Sequence, residues 1–445
     1  MANTYLTRTM GTPTSRKKFT ISVWVKRTKI GLSNAQHIWN GYYSADNRLV
    51  IYFQSSGNDR LGFYNVSGGS ATAYIETNRY FRDTNAWYHI YYAVDTTQST
   101  ASDRIKLYIN GVQETSLSQN TYPSQDADLG FANGYTNLIG NYGGGSQVFD
   151  GLMSHFYYVD GSVIDIAQFG STDSTTGEWK INTSPTISSY GTNGFLILKD
   201  GNTITDQSPN SNNFTSNGAG VTKTEDCPSN VFNVWNMAAR LNNTLYIDYG
   251  ATQAYSDNSS WRSLTGTLGA SSGKFYYEAM PHSHDYSVHG WVSDNLINST
   301  TDGGFAFAQL YSYGYKTYSG VVVYNENAGG GSTSYGVNID PDDVLGCAID
   351  IDNSKAYWSK NGVWLNSADP ANGTNGFSIQ SGQTYVPAIA IRSSGGNPTA
   401  RCNFGNGYFG TTAVSSAGTN ASGNGIFEYD VPNGFTALST KGLNE

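Results

Sequence analysis

The sequence predicts an all-β fold of two antiparallel β-sandwich (jelly-roll) domains joined by an Asn/Ser/Gly/Pro-rich linker. Three observations carry that expectation. Two stretches share one device, a strand, an Asn-Gly pair and a strand: Lys106–Glu114 (KLYINGVQE) and Lys355–Leu365 (KAYWSKNGVWL). Asn-Gly between alternating apolar residues is the strongest short hairpin signal, because both central positions of a type I′ turn need φ > 0. Charged residues are only 13% of the 445 and aromatics 14%, with 33 Tyr and 51 Gly, a composition of many short strands and turns. Finally, each half carries period-2 stretches rich in β-branched and aromatic residues.

In the first half, Phe19–Val25 (FTISVWV) alternates cleanly and reads as a half-buried strand. Further strands are expected at Leu49–Gln54, Arg60–Tyr64, Trp87–Val94, Arg104–Asn110, Thr136–Gly140 and His155–Val159. Turn residues fall between them at short spacing, the rhythm of a sandwich or barrel rather than of βαβ units. Only Val163–Phe169 hints at a helical turn.

The succession FTISVWVKRT, WYHIYYAVD, KLYINGVQE, NLIGNYGGG and FDGLMSHFYYVDG resembles the laminin-G-like, concanavalin-A-like lectin family over residues 1–205. The resemblance implies a jelly roll closed by the last segment, returning beside the first strands. The tail HFYYVDGSVIDIAQFGSTDSTTGEWK, followed by GTNGFLILKD, resembles versions of this domain in virion proteins of marine bacteriophages. The family includes sugar binders, calcium-dependent lectins and glycoside hydrolases, so fold alone does not fix function. Its hydrolases carry Glu-X-Asp-X-X-Glu on one strand, two carboxylates flanking the scissile bond. That triplet is absent, and Glu76, Glu114 and Glu178 stand far apart in sequence. The nearest look-alike, Asp350-Ile351-Asp352, has both acids on one strand face but sits at a strand end before a hairpin.

Residues 206–244 read as the linker, dominated by turn formers, with apolar pegs at Phe214, Val221, Phe232 and Trp235 that imply packing along a domain surface. From Leu245 to Glu445 the strand rhythm resumes with GKFYYEA, HGWV, GVVVY, LGCAID, the second Asn-Gly hairpin, YVPAIAIRSS and ARCNFG. This order resembles the SPRY domain over about Trp261–Phe409, which implies a sandwich whose loops bind ligands without catalysis. Thr300–Ser334, rich in Tyr and Gly, reads as an insertion forming an exposed lobe.

Charge is uneven. Residues 1–205 hold 15 basic and 15 acidic groups, and the remainder 10 and 19, so the net −9 lies in the second half. The first thirty residues contain Arg8, Arg16, Lys17, Lys18, Lys26, Arg27 and Lys29 and no acid. They read as a solvated strand face, or as a particle-docking edge with Arg8, Arg16, Lys17 and Lys18 at its centre. Nucleic acid is not an expected partner, since an acidic chain repels phosphate. No apolar run approaches twenty residues, so membrane insertion is not expected either.

Cys227, Cys347 and Cys402 fit no metal spacing; Cys347 and Cys402 read as buried free thiols. Asp340, Asp342 and Asp343 offer oxygens to Ca²⁺ but read first as turn chemistry. His282, His284 and His289 have some zinc character but read as a polar loop. No cofactor and no metal are expected, with Ca²⁺ the one open alternative.

Taken with the resemblance, these features imply a non-enzymatic virion structural protein, a tail-fibre or receptor-binding component recognising host surface glycan. Capsid decoration or a head fibre is the alternative position, and a glycan-degrading enzyme of the same fold is the alternative class. Expected ligand contacts are the loop aromatics Tyr42, Tyr43, Tyr142, Tyr311, Tyr313, Tyr315 and Tyr335, since Tyr stacks on sugar faces. Expected partners are other virion proteins, host polysaccharide and further copies of the chain, with a trimer as the expected symmetry. Met1-Ala2-Asn3-Thr4 lacks an apolar signal region, so the expected location is the virion, with the protein made in host cytoplasm and released by lysis.

Overall fold

The computed structural model describes residues 4–143, 145, 147–199, 203–218, 220–239, 245–257, 259–281, 286–294, 305–325, 329–393 and 398–444. The chain divides into two compact units, Met1–Lys223 and Thr224–Glu445. Both are built from antiparallel sheets, apart from one short parallel strand pairing (Phe275↔Thr436, Tyr276↔Ala437) in the second, and no α-helix occurs among the described residues. The turn expected near Val163–Phe169 is a single 3-10 turn at Ile166–Gln168.

In the first unit an eight-stranded sheet runs in the order β10 (Leu117–Thr121), β6 (Ser70–Tyr80), β5 (Arg60–Ser67), β4 (Asn47–Phe53), β3 (Gln36–Ser44), β11 (Thr136–Ile139), β1 (Tyr5–Thr9) and β16 (Thr215–Asn217). A six-stranded sheet faces it: β15 (Phe195–Ile197), β12 (Gly151–Asp160), β2 (Lys18–Arg27), β7 (Trp87–Asp95), β8 (Ile105–Ile109) and β9 (Val112–Gln113). Alternate residues of both sheets, among them Ile21, Val23, Trp39, Ile51, Phe63, Ile75, Ile90, Tyr92 and Phe156, meet in one core. The expected closing strand, β12, pairs with β2 from Gly151↔Arg27 to Asp160↔Phe19.

The two outer faces differ. Tyr91, Tyr157, Phe169 and Leu196 form a second cluster on the back of the six-stranded sheet, with Ile164, Ile166, Ile187 and Tyr190 packed against it. The hairpin of β13 (Gly170–Thr172) and β14 (Trp179–Ile181) adds Trp179, whose Nε1–H donates to His89 Nδ1 at 3.0 Å. Because Nδ1 accepts, the His89 proton sits on Nε2, 2.8 Å from Ser22 Oγ. The chain thus closes over the outer face of the six-stranded sheet with its own residues.

The second unit has a nine-stranded sheet with the path β17 (Leu245–Asp248), β18 (Gln253–Ser256), β30 (Thr399–Asn403), β20 (Lys274–Pro281), β25 (Leu345–Asp350), β26 (Lys355–Lys360) and β27 (Val363–Trp364). β28 (Phe377–Ser378) and β33 (Thr436–Ala437) join off this path. Opposite lie β19 (Arg262–Thr265), β29 (Tyr385–Arg392), β21 (Tyr286–Ser293), β22 (Ser312–Lys316), β23 (Val321–Tyr324) and β24 (Gly331–Ser334), while β31 (Tyr408–Phe409) and β32 (Thr412–Ala413) form a small hairpin. Cys347 and Cys402 are buried, unlinked thiols on the strands flanking β20.

Two expectations are corrected. The stretch read as a linker over 206–244 is shared between the units: Phe214 joins the first core and β16 pairs with β1, whereas Phe232, Val234 and Trp235 are buried in the second unit. Phe214, Phe232 and Trp235 are core residues, Val221 packs half-buried against the first core, and residues 240–244 lie outside the described set. The lobe expected at Thr300–Ser334 is largely sheet where it is described. β22, β23 and β24 extend the six-stranded sheet, and Phe305–Ala308 bury against its back.

Candidate functional site

On the eight-stranded sheet, Ile51, Phe53, Phe63 and Ile75 point into the core, so strand alternation sends their neighbours outward. Register aligns those neighbours in cross-strand rows. One row is His37–Tyr52–Gly62–Glu76 and the next is Asn40–Val50–Tyr64–Tyr74. Tyr42 and Arg48 pair beside them.

The rings pack edge to edge across these rows. His37 stacks on Tyr52 with centroids 5.3 Å apart, and Tyr142 reaches in from the β11–β12 connection to both His37 (4.8 Å) and Tyr42 (5.6 Å). Tyr64 meets Tyr74 at 5.2 Å, with the Arg48 guanidinium 5.7 Å above Tyr64. Gly62 explains the flat floor: a Cβ there would lie 2.9 Å from the Tyr52 ring. Tyr42, Tyr52, Tyr64, Tyr74 and Tyr142 are each half-buried.

Glu76 anchors one end. It accepts hydrogen bonds from Gln54 Nε2 at 2.6 Å, Tyr74 Oη at 2.8 Å and Ser118 Oγ at 2.6 Å, with Arg60 3.6 Å away. Burial works against its ionisation, but the Ser118, Gln54 and Tyr74 hydrogen bonds and the Arg60 charge outweigh it and hold the carboxyl below its ordinary value. Burial also lowers His37 to about 4, against a hydrogen bond to Gln147, so the imidazole is neutral at pH 7. Asn40 is fully buried, yet among the described residues neither its Oδ1 nor its Nδ2 has a hydrogen-bond partner, and His37 Nδ1 also lacks one there. Such groups cost about 1–3 kcal/mol each when they stay without a partner.

Of the expected ligand contacts, Tyr42 and Tyr142 come together here, while Tyr43 is 64% exposed and stacks on Tyr135 instead. Tyr313, Tyr315 and Tyr335 are corrected to core residues. Their rings bury against Tyr385, Trp358 and Phe377, and the Tyr315 hydroxyl donates to the Val337 carbonyl. Tyr311 packs on the rim of the same core. The alternation of SYGYK on β22 turns Tyr313 and Tyr315 inward together, which loop chemistry does not reveal.

The residues of the expected docking edge have partners within the first unit. Arg16 faces Asp128 at 3.7 Å, Lys17 faces Asp126 at 3.3 Å and Lys18 faces Asp95 at 3.2 Å, and Arg8 is bonded to Asn212 and Met10. Distant acids neutralise what looked in sequence like an acid-free run. In the second unit Lys360 occupies the place a cation would take, 3.0 Å from Asp340 and 2.7 Å from Asp343. Asp350 binds Lys274 at 2.9 Å and Asp352 accepts from the Gly273 N–H at 2.9 Å, so that pair closes turns. His282 and His284 lie outside the described residues, and His289 is buried within β21.

His37, Asn40, Tyr52, Gly62, Tyr64, Tyr74 and Glu76 were not among the expected contacts. Alternation in LVIYFQ, with Leu49, Ile51 and Phe53 apolar, already sets Tyr52 and Gln54 on the other face.

Residues 2–164 match the family model of the concanavalin A-like lectin/glucanases superfamily, so that stretch of the first unit is similar to that class. Elsewhere the likenesses are thinner. A stretch of 110 residues is 32% identical to the ATP-dependent RNA helicase DDX1 of Xenopus laevis, covering 24% of this chain and spanning 13% of the helicase's length. The SPRY domain of human HERC1 is 13% identical over 38% of this chain and 96% of its own, with a TM-score of 0.29. Stonustoxin is 16% identical over 38% of this chain and 27% of its own, with a TM-score of 0.30. Scores this low carry no argument about the second unit, whose architecture rests on its own strand pairing.

Proposed function

We propose that this chain is a glycan-recognising protein whose binding surface is the outer face of the eight-stranded sheet. The observation that carries the reading is the row His37–Tyr52–Gly62–Glu76 with Tyr64, Tyr74 and Tyr142 beside it. Half-buried rings over a glycine floor suit the apolar faces of sugar rings, and an ionised carboxylate suits their hydroxyls.

Binding fits the geometry better than hydrolysis. A general acid needs a raised pKa, and Glu76 is held below its ordinary value. The finer reading places the protein on a bacteriophage particle as a tail-fibre or receptor-binding component, with capsid decoration or a head fibre as the other position. Its support is the likeness of the segment HFYYVDGSVIDIAQFG to phage virion proteins.

Two experiments test this. A glycan array probed with the full chain should give a defined set of positives and no release of reducing ends; reducing-end release would favour the enzyme. Immunogold labelling of purified particles should decorate the tail, whereas shell label would move the protein to the capsid and absence of label would remove the virion reading.

A further inference from the structure

Among the described residues of the second unit, one arginine is held by rings and not by an acid. Residues 224–445 hold nine Lys and Arg against eighteen Asp and Glu, so a cation with no acid beside it among the described residues stands out there. Arg392, at the end of β29, has no carboxylate partner among the described residues, and its Nε is buried without a hydrogen bond. Two aromatic rings hold it instead. Its guanidinium carbon lies 4.3 Å from the Tyr286 centroid and 5.1 Å from that of Trp261.

The clamp is built by the sheet. Tyr286 and Arg392 are cross-strand partners, on the same face as Val288 and Ala390. Tyr318 stands edge-on to Tyr286 at 4.5 Å, and Phe305 lies 4.7 Å from Trp261. Arg262 Nη1 donates to the Trp261 carbonyl at 2.8 Å and fixes the start of β19. Lys316, paired with Val288, brings a second cation 6.0 Å from the Phe305 ring. Arg392, Trp261, Tyr286 and Tyr318 all remain half-buried.

We infer that this corner binds an acidic sugar residue, its oxyanion on the Arg392 fork and its ring against Tyr318 or Trp261. Stacking fixes the guanidinium plane while leaving its N–H edge for bidentate contact with a planar or tetrahedral oxyanion. Aromatic walls around a single fixed fork match one charged sugar ring better than an extended acidic peptide, which calls for a row of cations. The site is separate from the proposed face of the first unit and does not rest on it.

The test is calorimetric titration of the full chain with three tetrasaccharides: galacturonate, sulfated galactose and neutral galactose. At least one acidic oligomer should bind ten-fold or more tightly than the neutral one, and the preference should weaken as salt rises. The galacturonate and sulfated arms distinguish a carboxylate from a sulfate ester. Arg392→Gln should abolish the preference, and Arg392→Lys, which keeps the charge but not the fork, should lower it at least five-fold. Lys355→Gln, which removes a cation elsewhere in the second unit, should leave it intact, which ties the preference to the Arg392 fork rather than to net charge. Equal binding of all three sugars, retention of the preference in Arg392→Gln, or binding of an acidic peptide in place of both acidic sugars would overturn the inference.

Discussion

Glu278 ties the C-terminal segment to the larger sheet of the second unit. Its carboxyl accepts from the backbone N–H groups of Glu428 and Tyr429, both at 2.9 Å, from Tyr276 Oη at 3.1 Å and from Asn403 Nδ2 at 3.2 Å. Burial nevertheless dominates these four donors and pushes it up to about 7. The folded chain therefore holds a proton that the unfolded chain releases near 4.5, so the contribution is complete below that pH and is lost as pH rises through 7. His37, lowered to about 4, and the buried His89 and His289, also lowered, act in the opposite direction below about 6.5, where the unfolded chain takes up their protons. The difference between the chain and Glu278→Gln isolates the carboxyl. Between pH 5 and 8 the native chain should lose on the order of 3 kcal/mol relative to the variant. Parallel Tm profiles would contradict this. Asp59 shows the contrasting case: burial opposes its charge, but Gly31 N–H, Arg27 and Arg82 hold its carboxyl below the ordinary range, with Arg27 2.9 Å away. Its contribution persists above about 4 and fades only as pH falls through the lower folded value.

Among the strands, one dipeptide plays two parts. Asn110-Gly111 (φ 48° and 78°) and Asn361-Gly362 (φ 48° and 77°) form the left-handed hairpin turns that the sequence announces. Asn40-Gly41 has the same letters but lies within β3, where the glycine makes room for Phe131, since a Cβ would lie 2.5 Å from that ring. A local rule reads Asn-Gly as a turn, and only the distant Phe131 explains a strand there. For that reason β3 escapes the sequence, as does β6, whose SATAYIETNRY mixes strand formers with Ala, Glu, Asn and Arg. Those two strands supply His37, Asn40, Tyr74 and Glu76, so the core was more legible than the site. Gly41→Ala should cost about 1–3 kcal/mol by overpacking. Phe131→Leu in the same chain should recover part of that cost in denaturant melts; strictly additive losses would show that the ring is not the cause.

At the scale of the molecule, composition and hairpin spacing announce two sandwiches, while the boundary between them is hidden because polar turns surround its core residues. Phe214 and β16 complete the first unit, and Phe232, Val234 and Trp235 belong to the second. Fragments 1–223 and 224–445 should each unfold cooperatively, whereas 1–205 and 245–445 should be less stable by several kcal/mol from lost aromatic burial. Equal stability of the long and short fragments would contradict that division. The central claim concerns the outer face of the eight-stranded sheet in the first unit. Its most direct measurement is calorimetric titration of an array-positive oligosaccharide into the full chain, Tyr142→Ala, Glu76→Gln and, as a control in the second unit, Tyr246→Ala. The account predicts at least ten-fold weaker binding for Tyr142→Ala and Glu76→Gln and unchanged binding for Tyr246→Ala. Undiminished affinity in both first-unit variants would contradict it.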